Sequence, residues 1–129
     1  MKILSRALVG FIGLLSLMSV GTHWFRVESL VAERGLTAVG DIGRANIRAD
    51  IGGMFLAIGL FCLFAAARSS RAALLAAIAL VSSPLLGRFV SVAIDGGSQR
   101  VYSPMIIEGA VIAILLTALW SWKKVPEGL

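Results

Sequence analysis

Four long runs of apolar residues dominate the chain, and most polar residues lie in the connections between them. The runs cover residues 7–25, 47–67, 72–94 and 105–122. As a helix rising about 1.5 Å per residue, each run would cross the hydrocarbon core of a bilayer. The pattern therefore predicts an all-α fold: an integral membrane antiparallel four-helix bundle that forms a single domain over residues 1–129.

Composition supports this interpretation and excludes several others. Hydrophobic residues make up 58% of the chain and charged residues 15%, and the mean hydropathy is +0.92, so a soluble domain could not cover its surface with polar groups. The single Cys62 cannot build a disulfide framework or a cysteine-rich zinc site. We interpret the net charge of +5 as a mark of membrane topology, because little solvated surface remains to display a basic patch to nucleic acid.

Orientation follows from the basic residues at helix ends, which are retained in the cytoplasm. One side of the predicted bundle has a net charge of +5, from Lys2, Arg6, Arg68, Arg71, Lys123, Lys124 and Glu127. The other side has a net charge of zero, from Arg26, Arg34, Arg44, Arg48, Arg88 and Arg100 against Glu28, Glu33, Asp41, Asp50, Asp95 and Glu108. Each side holds six basic residues, but those of the first side cluster in short segments at helix ends. We therefore predict that both termini lie in the cytoplasm.

A cleaved signal peptide is the alternative for the first run. Lys2 and Arg6 precede a short apolar core, and Ser19-Val20-Gly21 resembles a cleavage site. Cleavage would leave three spans, whereas retention gives an even-numbered bundle, which is the simpler interpretation.

The connection between the first two runs contains a short amphipathic pattern. Val27, Leu30 and Val31 have helical spacing beside acidic residues, which predicts a short helix on the outer surface. Three glycines are expected to break any longer helix: Gly35, Gly40 and Gly43.

Ionisable residues within the apolar runs gather at one depth. Five of them fall in the outer half: His23, Arg48, Asp50, Arg88 and Glu108. Placing an ionisable group at the bilayer centre costs about 2.5–3.5 kcal/mol of insertion free energy. We therefore expect each of these residues to be paired with another group or to have a function. The inner half holds only weakly polar groups, which argues against a channel or an ion-coupled transporter. We predict that these five residues form a candidate binding cluster that opens outward.

Each member of this cluster also has a structural interpretation. Arg88 and Glu108 would form an ion pair that locks the third and fourth helices, while Arg48 and Asp50 would reach the headgroups. His23 is interpreted as an interfacial residue, since the chain has no second histidine to share a metal. Because no nucleophile–base pair or cofactor fingerprint occurs, we predict no catalytic residue, metal site or cofactor.

Short motifs lie in a fixed order along the chain: Arg48-Ala49 followed by Gly52-Gly53, then Gly87-Arg88 closed by Asp95-Gly96, then Glu108. In order, spacing and depth they resemble a family of small bacterial four-helix integral membrane proteins that is catalogued as a domain of unknown function. Apolar or aromatic residues also occur at the family position that corresponds to Asp50. The resemblance implies a bacterial inner-membrane location and supplies no activity. Independently of it, Gly52 and Gly53 are interpreted as small residues at a close helix contact.

Two functions of different class fit these features. The favoured one is a non-catalytic accessory or structural subunit, whose partners are membrane lipids and other membrane subunits or a second copy of the chain. The alternative is a binder or enzyme for a lipid-like or anionic small molecule, held in an outward-facing polar pocket under Arg48 and Arg88. Nucleic acid is not an expected partner.

Overall fold

The protein is an all-α bundle, as the sequence predicts. The computed structural model describes residues 2–122, and these contain helices and connections but no strand. Four long helices are α1 (Lys2–Phe25), α3 (Gly40–Arg68), α4 (Arg71–Asp95) and α5 (Gln99–Ser121); the short helix α2 (Val27–Glu33) lies between the first two. All four long helices are long and apolar enough to span a membrane.

The long helices form an antiparallel ring in which each packs against the next, and α5 returns to α1. At one end of the ring, Ser5 of α1 meets the end of α5, with an Oγ–Oγ distance of 3.1 Å to Ser121 and a 2.9 Å hydrogen bond from Trp122 Nε1. The first and last described residues therefore lie at the same end of the bundle, which we call the inner end. The end that carries α2 is the outer end.

Two glycines bring α1 and α3 into backbone contact. A Cβ added to Gly13 would lie 3.1 Å from the carbonyl oxygen of Gly59, and a Cβ on Gly59 would lie 3.1 Å from that of Gly13. Only residues without a side chain allow this approach, which suits helix packing in lipid because close van der Waals contact replaces the hydrophobic effect there.

The packed core lies mainly toward the inner end. Seven residues with no exposed surface are Val9, Cys62, Ala65, Leu74, Ala77, Leu115 and Ala118. In α4 no residue after Val81 is buried, and in α5 none before Leu115 is buried. The outer halves of these two helices therefore pack loosely, whereas α1 and α3 keep buried residues as far as His23 and Gly52.

Three helices begin at least five residues earlier than predicted, and the first of them is α1, which begins at Lys2 rather than at residue 7. α3 begins at Gly40 rather than at residue 47, and continues through a π-helical segment at Ile47–Gly52. α5 begins at Gln99 and includes Pro104, which was expected to open it. Pro104 lies within the first two turns, where its missing N–H leaves only one backbone hydrogen bond unmade.

The predicted amphipathic helix is confirmed as α2. Val27 and Val31 are buried with 1% and 4% exposure. The connection to α3 contains Gly35 at φ +69° and Gly40 at φ +63°, a left-handed conformation that favours glycine and separates the two helices. Gly43, the third expected helix breaker, lies inside α3 instead.

Candidate functional site

The ion pair expected between α4 and α5 is present. Arg88 Nε lies 3.2 Å from Glu108 Oε1 and 3.1 Å from Oε2, with side-chain exposures of 32% and 17%. Arg88 is seven residues from the end of α4 and Glu108 nine residues from the start of α5, which places them about 10 and 14 Å along their helices. Glu108 is thus deeper than its sequence suggested, because α5 begins earlier.

Glu108 uses only one of the three guanidinium nitrogens of Arg88. Both carboxylate oxygens receive their bonds from Nε, and neither Nη atom makes a hydrogen bond to a residue within 2–122. The Nη groups therefore keep donors available beyond the ion pair.

Arg34, at the end of α2, is a member of the cluster that the sequence analysis did not select. Its guanidinium carbon lies 5.9 Å from the ring centroid of Phe55 on α3, a cation–π distance. The residue is exposed, yet the pKa of Arg34 is lowered, first by loss of solvent around the guanidinium and then by repulsion from Arg88; attraction to Glu108 and Glu33 opposes this. Arg34 stays protonated, but it lies within electrostatic reach of the ion pair.

A signal for Arg34 exists in the sequence. Val27, Val31 and Arg34 are spaced i, i+4 and i+7, so that one face of a helix carries all three. Because Val27 and Val31 are buried, this face of α2 is directed toward the bundle. A count of the charges on each side includes Arg34 but does not show which face of α2 the residue lies on.

His23 is buried rather than interfacial, in contrast to the prediction. It is 1% exposed, and its ring centroid lies 4.9 Å from that of Phe55. Nδ1 is 2.6 Å from the carbonyl oxygen of Ser19, so Nδ1 is the donor in this contact. Nε2 has no hydrogen-bond partner among residues 2–122. His23 and Arg34 therefore both lie against Phe55, and one of the two nitrogens of His23 is an unsatisfied polar atom.

Arg48 and Asp50 make no hydrogen bond or ion pair with the other predicted cluster residues. Arg48 Nε donates to the carbonyl oxygen of Trp24 at 2.9 Å, and Trp24 Nε1 donates to the carbonyl oxygen of Arg48 at 3.2 Å. Asp50 is exposed and its side chain makes no ion pair or hydrogen bond within residues 2–122. The predicted convergence of five side chains is therefore wrong in this part, because Arg48 binds the end of α1 at Trp24 instead.

The two candidate packing glycines differ. A Cβ on Gly52 would lie 2.6 Å from Trp24 Nε1 and 2.7 Å from Trp24 Cδ1, so Gly52 is needed for contact between the indole and α3. A Cβ on Gly53 would meet no atom within 4 Å. The prediction that Gly53 also packs against a neighbouring helix is wrong, since it faces open space.

No protein-family model, curated protein or solved structure matches this chain. What the site can do must therefore be judged from its own geometry. We call Arg34, Arg88, Glu108, His23 and Phe55 the outer cluster. Residues 2–122 contain no group of three potential metal ligands among His, Cys, Asp and Glu. The outer cluster holds two guanidiniums and one partly buried carboxylate, an arrangement that is suited to binding an anion.

At the inner end, two arginines bind backbone carbonyl oxygens rather than carboxylates. Arg6 donates to the carbonyl oxygens of Ala66 at 2.7 Å and Ala67 at 3.1 Å, near the end of α3. Arg71 donates to that of Leu119 at 2.6 Å, near the end of α5. Carbonyls in the last turn of a helix lack partners and attract cations. Residues that the sequence analysis used only as topology signals therefore also cap neighbouring helices.

Two surface grooves lie at this inner end, apart from the outer cluster. The larger, of ≈ 450 Å³, is lined by Ile3, Arg6, Ala7, Leu63, Ala66 and Ala67. The smaller, of ≈ 210 Å³, is lined by Ser5, Leu8, Ala113, Ile114 and Thr117. Both are shallow and mostly apolar, as expected for surface that contacts lipid tails.

Proposed function

We propose that this chain is a multi-pass protein of the bacterial inner membrane with both termini in the cytoplasm. Four apolar helices of sufficient length support membrane insertion. The common inner end of α1 and α5 supports an even number of crossings, and the surplus of basic charge at that end supports the cytoplasmic assignment. A reporter that is active only in the periplasm should stay inactive when fused after Leu129. Activity of that fusion would contradict this orientation.

Within that membrane, we propose a non-catalytic accessory role. The observation that carries it is the loose packing of α5: only Leu115 and Ala118 of its 23 residues are buried. A helix with so much apolar surface can accept further helices beside it. Membership of the four-helix family described above, with its bacterial location, stays a prediction.

Native mass spectrometry of the full chain, extracted in a mild non-ionic detergent, tests this role. We expect a second polypeptide, or a second copy of the chain, to stay bound. A monomer that carries only lipid would contradict the accessory role and favour the alternative below.

The alternative function is the binding of an anionic amphiphile at the outer end. A specific observation supports it: Arg34 lies over the ring of Phe55 within electrostatic reach of Arg88, and the partly buried carboxylate of Glu108 accompanies Arg88. The outer halves of α4 and α5, which bury no residue, leave room for apolar chains next to this charge.

A further inference from the structure

The outer cluster contains two positively charged side chains, Arg34 and Arg88, and one negatively charged side chain, Glu108. Each arginine carries one positive charge, and the partly buried carboxylate of Glu108 supplies one negative charge. The fourth charged group nearby, Glu33, is exposed and has the weakest effect on Arg34. Repulsion from Arg88 outweighs attraction to Glu108 at Arg34. An excess of positive charge at the edge of hydrocarbon is stabilised when an anion binds to it.

Helix geometry places these groups at similar depth. α3 and α4 are antiparallel and joined by the Ser69–Ser70 turn, so Phe55, fourteen residues before that turn, is level with residue 84 of α4. Arg88 is one helical turn, about 6 Å, further out. Arg34 lies over the ring of Phe55. The guanidinium of Arg34 and that of Arg88 therefore lie at neighbouring depths at the outer end.

Glu108 leaves the two Nη groups of Arg88 available to bind a ligand. It accepts both of its bonds from Nε, and the two Nη groups have no partner within residues 2–122. The side chain of Arg34 makes no hydrogen bond or ion pair within the same residues. Planar guanidinium groups bind phosphate and carboxylate oxygens in pairs, and phosphate has enough oxygens to accept from two arginines at once.

We propose that Arg34 and Arg88 bind one phosphate oxyanion, that of an anionic phospholipid headgroup or of free phosphate, at the outer end of the bundle. Glu108 is a positioning residue that fixes Arg88 through Nε. The inference rests on the alternative function proposed above, and it replaces Arg48 with Arg34 as the second binding arginine. Exposed apolar side chains close to Arg88 along α4, Leu86 and Phe89, would contact the tails of a lipid.

Lipid titration of the full chain tests the site. The protein in a non-ionic detergent is titrated with dioleoylphosphatidylglycerol or dioleoylphosphatidylcholine, which have the same tails, and bound lipid is counted by native mass spectrometry. Inorganic phosphate is added as a competitor to distinguish the two sources of the oxyanion. The variant is Arg34→Gln; the matched control is Arg100→Gln, which removes one exposed arginine from the outer side without touching the outer cluster.

We expect Arg34→Gln to weaken phosphatidylglycerol binding about tenfold or more, the loss typical when one charge-assisted hydrogen bond is removed. Arg100→Gln should leave binding unchanged. Because Arg88→Gln alone can impair folding, the double variant Arg88→Gln/Glu108→Gln is used for the second arginine, and it should show a loss of similar size. Competition by inorganic phosphate at low concentration would identify free phosphate as the ligand, and its absence would identify the lipid.

Two results would overturn the inference, and they differ in what else they affect. If the parent, Arg34→Gln and the double variant all bind both lipids equally, the phosphate site at Arg34 and Arg88 is refuted. The protein could then still bind amphiphiles without recognising the headgroup. If the parent binds neither lipid nor phosphate, both the phosphate site and the proposed binding of an anionic amphiphile are refuted.

Discussion

Removal of the Glu108 charge is the most direct test of how the outer half is stabilised. Glu108→Gln keeps the shape and one acceptor but leaves Arg88 without its counter-charge. At 3.1 Å and an effective dielectric constant of about 20, the attraction is about 5 kcal/mol before desolvation is subtracted. Loss of one partner costs about 3–5 kcal/mol for a buried pair and about 0–1 kcal/mol for an exposed one. With exposures of 32% and 17%, we expect about 2–3 kcal/mol.

The assay is reversible unfolding of the full chain in mixed micelles, with the free energy of unfolding measured for each member of a double-mutant cycle. Arg88→Gln should cost a similar amount, and the double variant should recover most of one loss, which gives a coupling energy of about 2 kcal/mol. The control is Glu28→Gln: its carboxylate is 71% exposed and 3.6 Å from Arg44, so its removal should cost about 0.5 kcal/mol or less. Losses that simply add would refute the pairing argument.

Two further predictions concern the contact between α1 and α3. Gly52→Ala should lower the melting temperature, because its Cβ would lie 2.6 Å from Trp24 Nε1, whereas Gly53→Ala should keep or raise it, since its Cβ meets open space and alanine favours helix; equal melting temperatures of the two variants would contradict this. His23→Phe keeps the ring against Phe55 and removes a buried nitrogen without a donor. It should therefore raise the free energy of unfolding by about 1 kcal/mol, and a clear decrease would show that this nitrogen is satisfied in the membrane.

Features that follow from the pattern of hydrophobic residues along the chain could be predicted from the sequence. The four spanning helices and α2 are present because runs of apolar residues and helical spacing determine them locally. The pair of Arg88 and Glu108 could also be predicted, since antiparallel helices place them at similar depth and each needs a counter-charge in hydrocarbon. Counting residues from the helix ends places both side chains in the outer half, although Glu108 lies deeper than predicted because α5 begins at Gln99.

Features that depend on side-chain direction could not be predicted in the same way. Arg48 and Asp50 have the right depth, but both lie within the π-helical segment at Ile47–Gly52, whose residues do not have the angular spacing of an α-helix. Counting depth cannot detect this difference. Arg34 was missed for the opposite reason: it lies outside the apolar runs, and only the burial of the α2 face connects it to Arg88 and Glu108.

The two ends of the bundle use arginine in contrasting ways, which explains why a count of six basic residues on each side is a weak guide. At the inner end, Arg6 and Arg71 bind the carbonyl oxygens of neighbouring helices, so their charge is stabilised by uncharged groups and still contributes to retention in the cytoplasm. At the outer end, Arg44 is paired with Asp41 and Glu28, and Arg88 with Glu108. Orientation is governed by Lys and Arg near the ends of short connections, and acidic residues contribute little to it. The physical basis for the proposed orientation is therefore the position of the basic residues, because those of the inner end, such as Arg6 and Arg71, lie in short segments at helix ends.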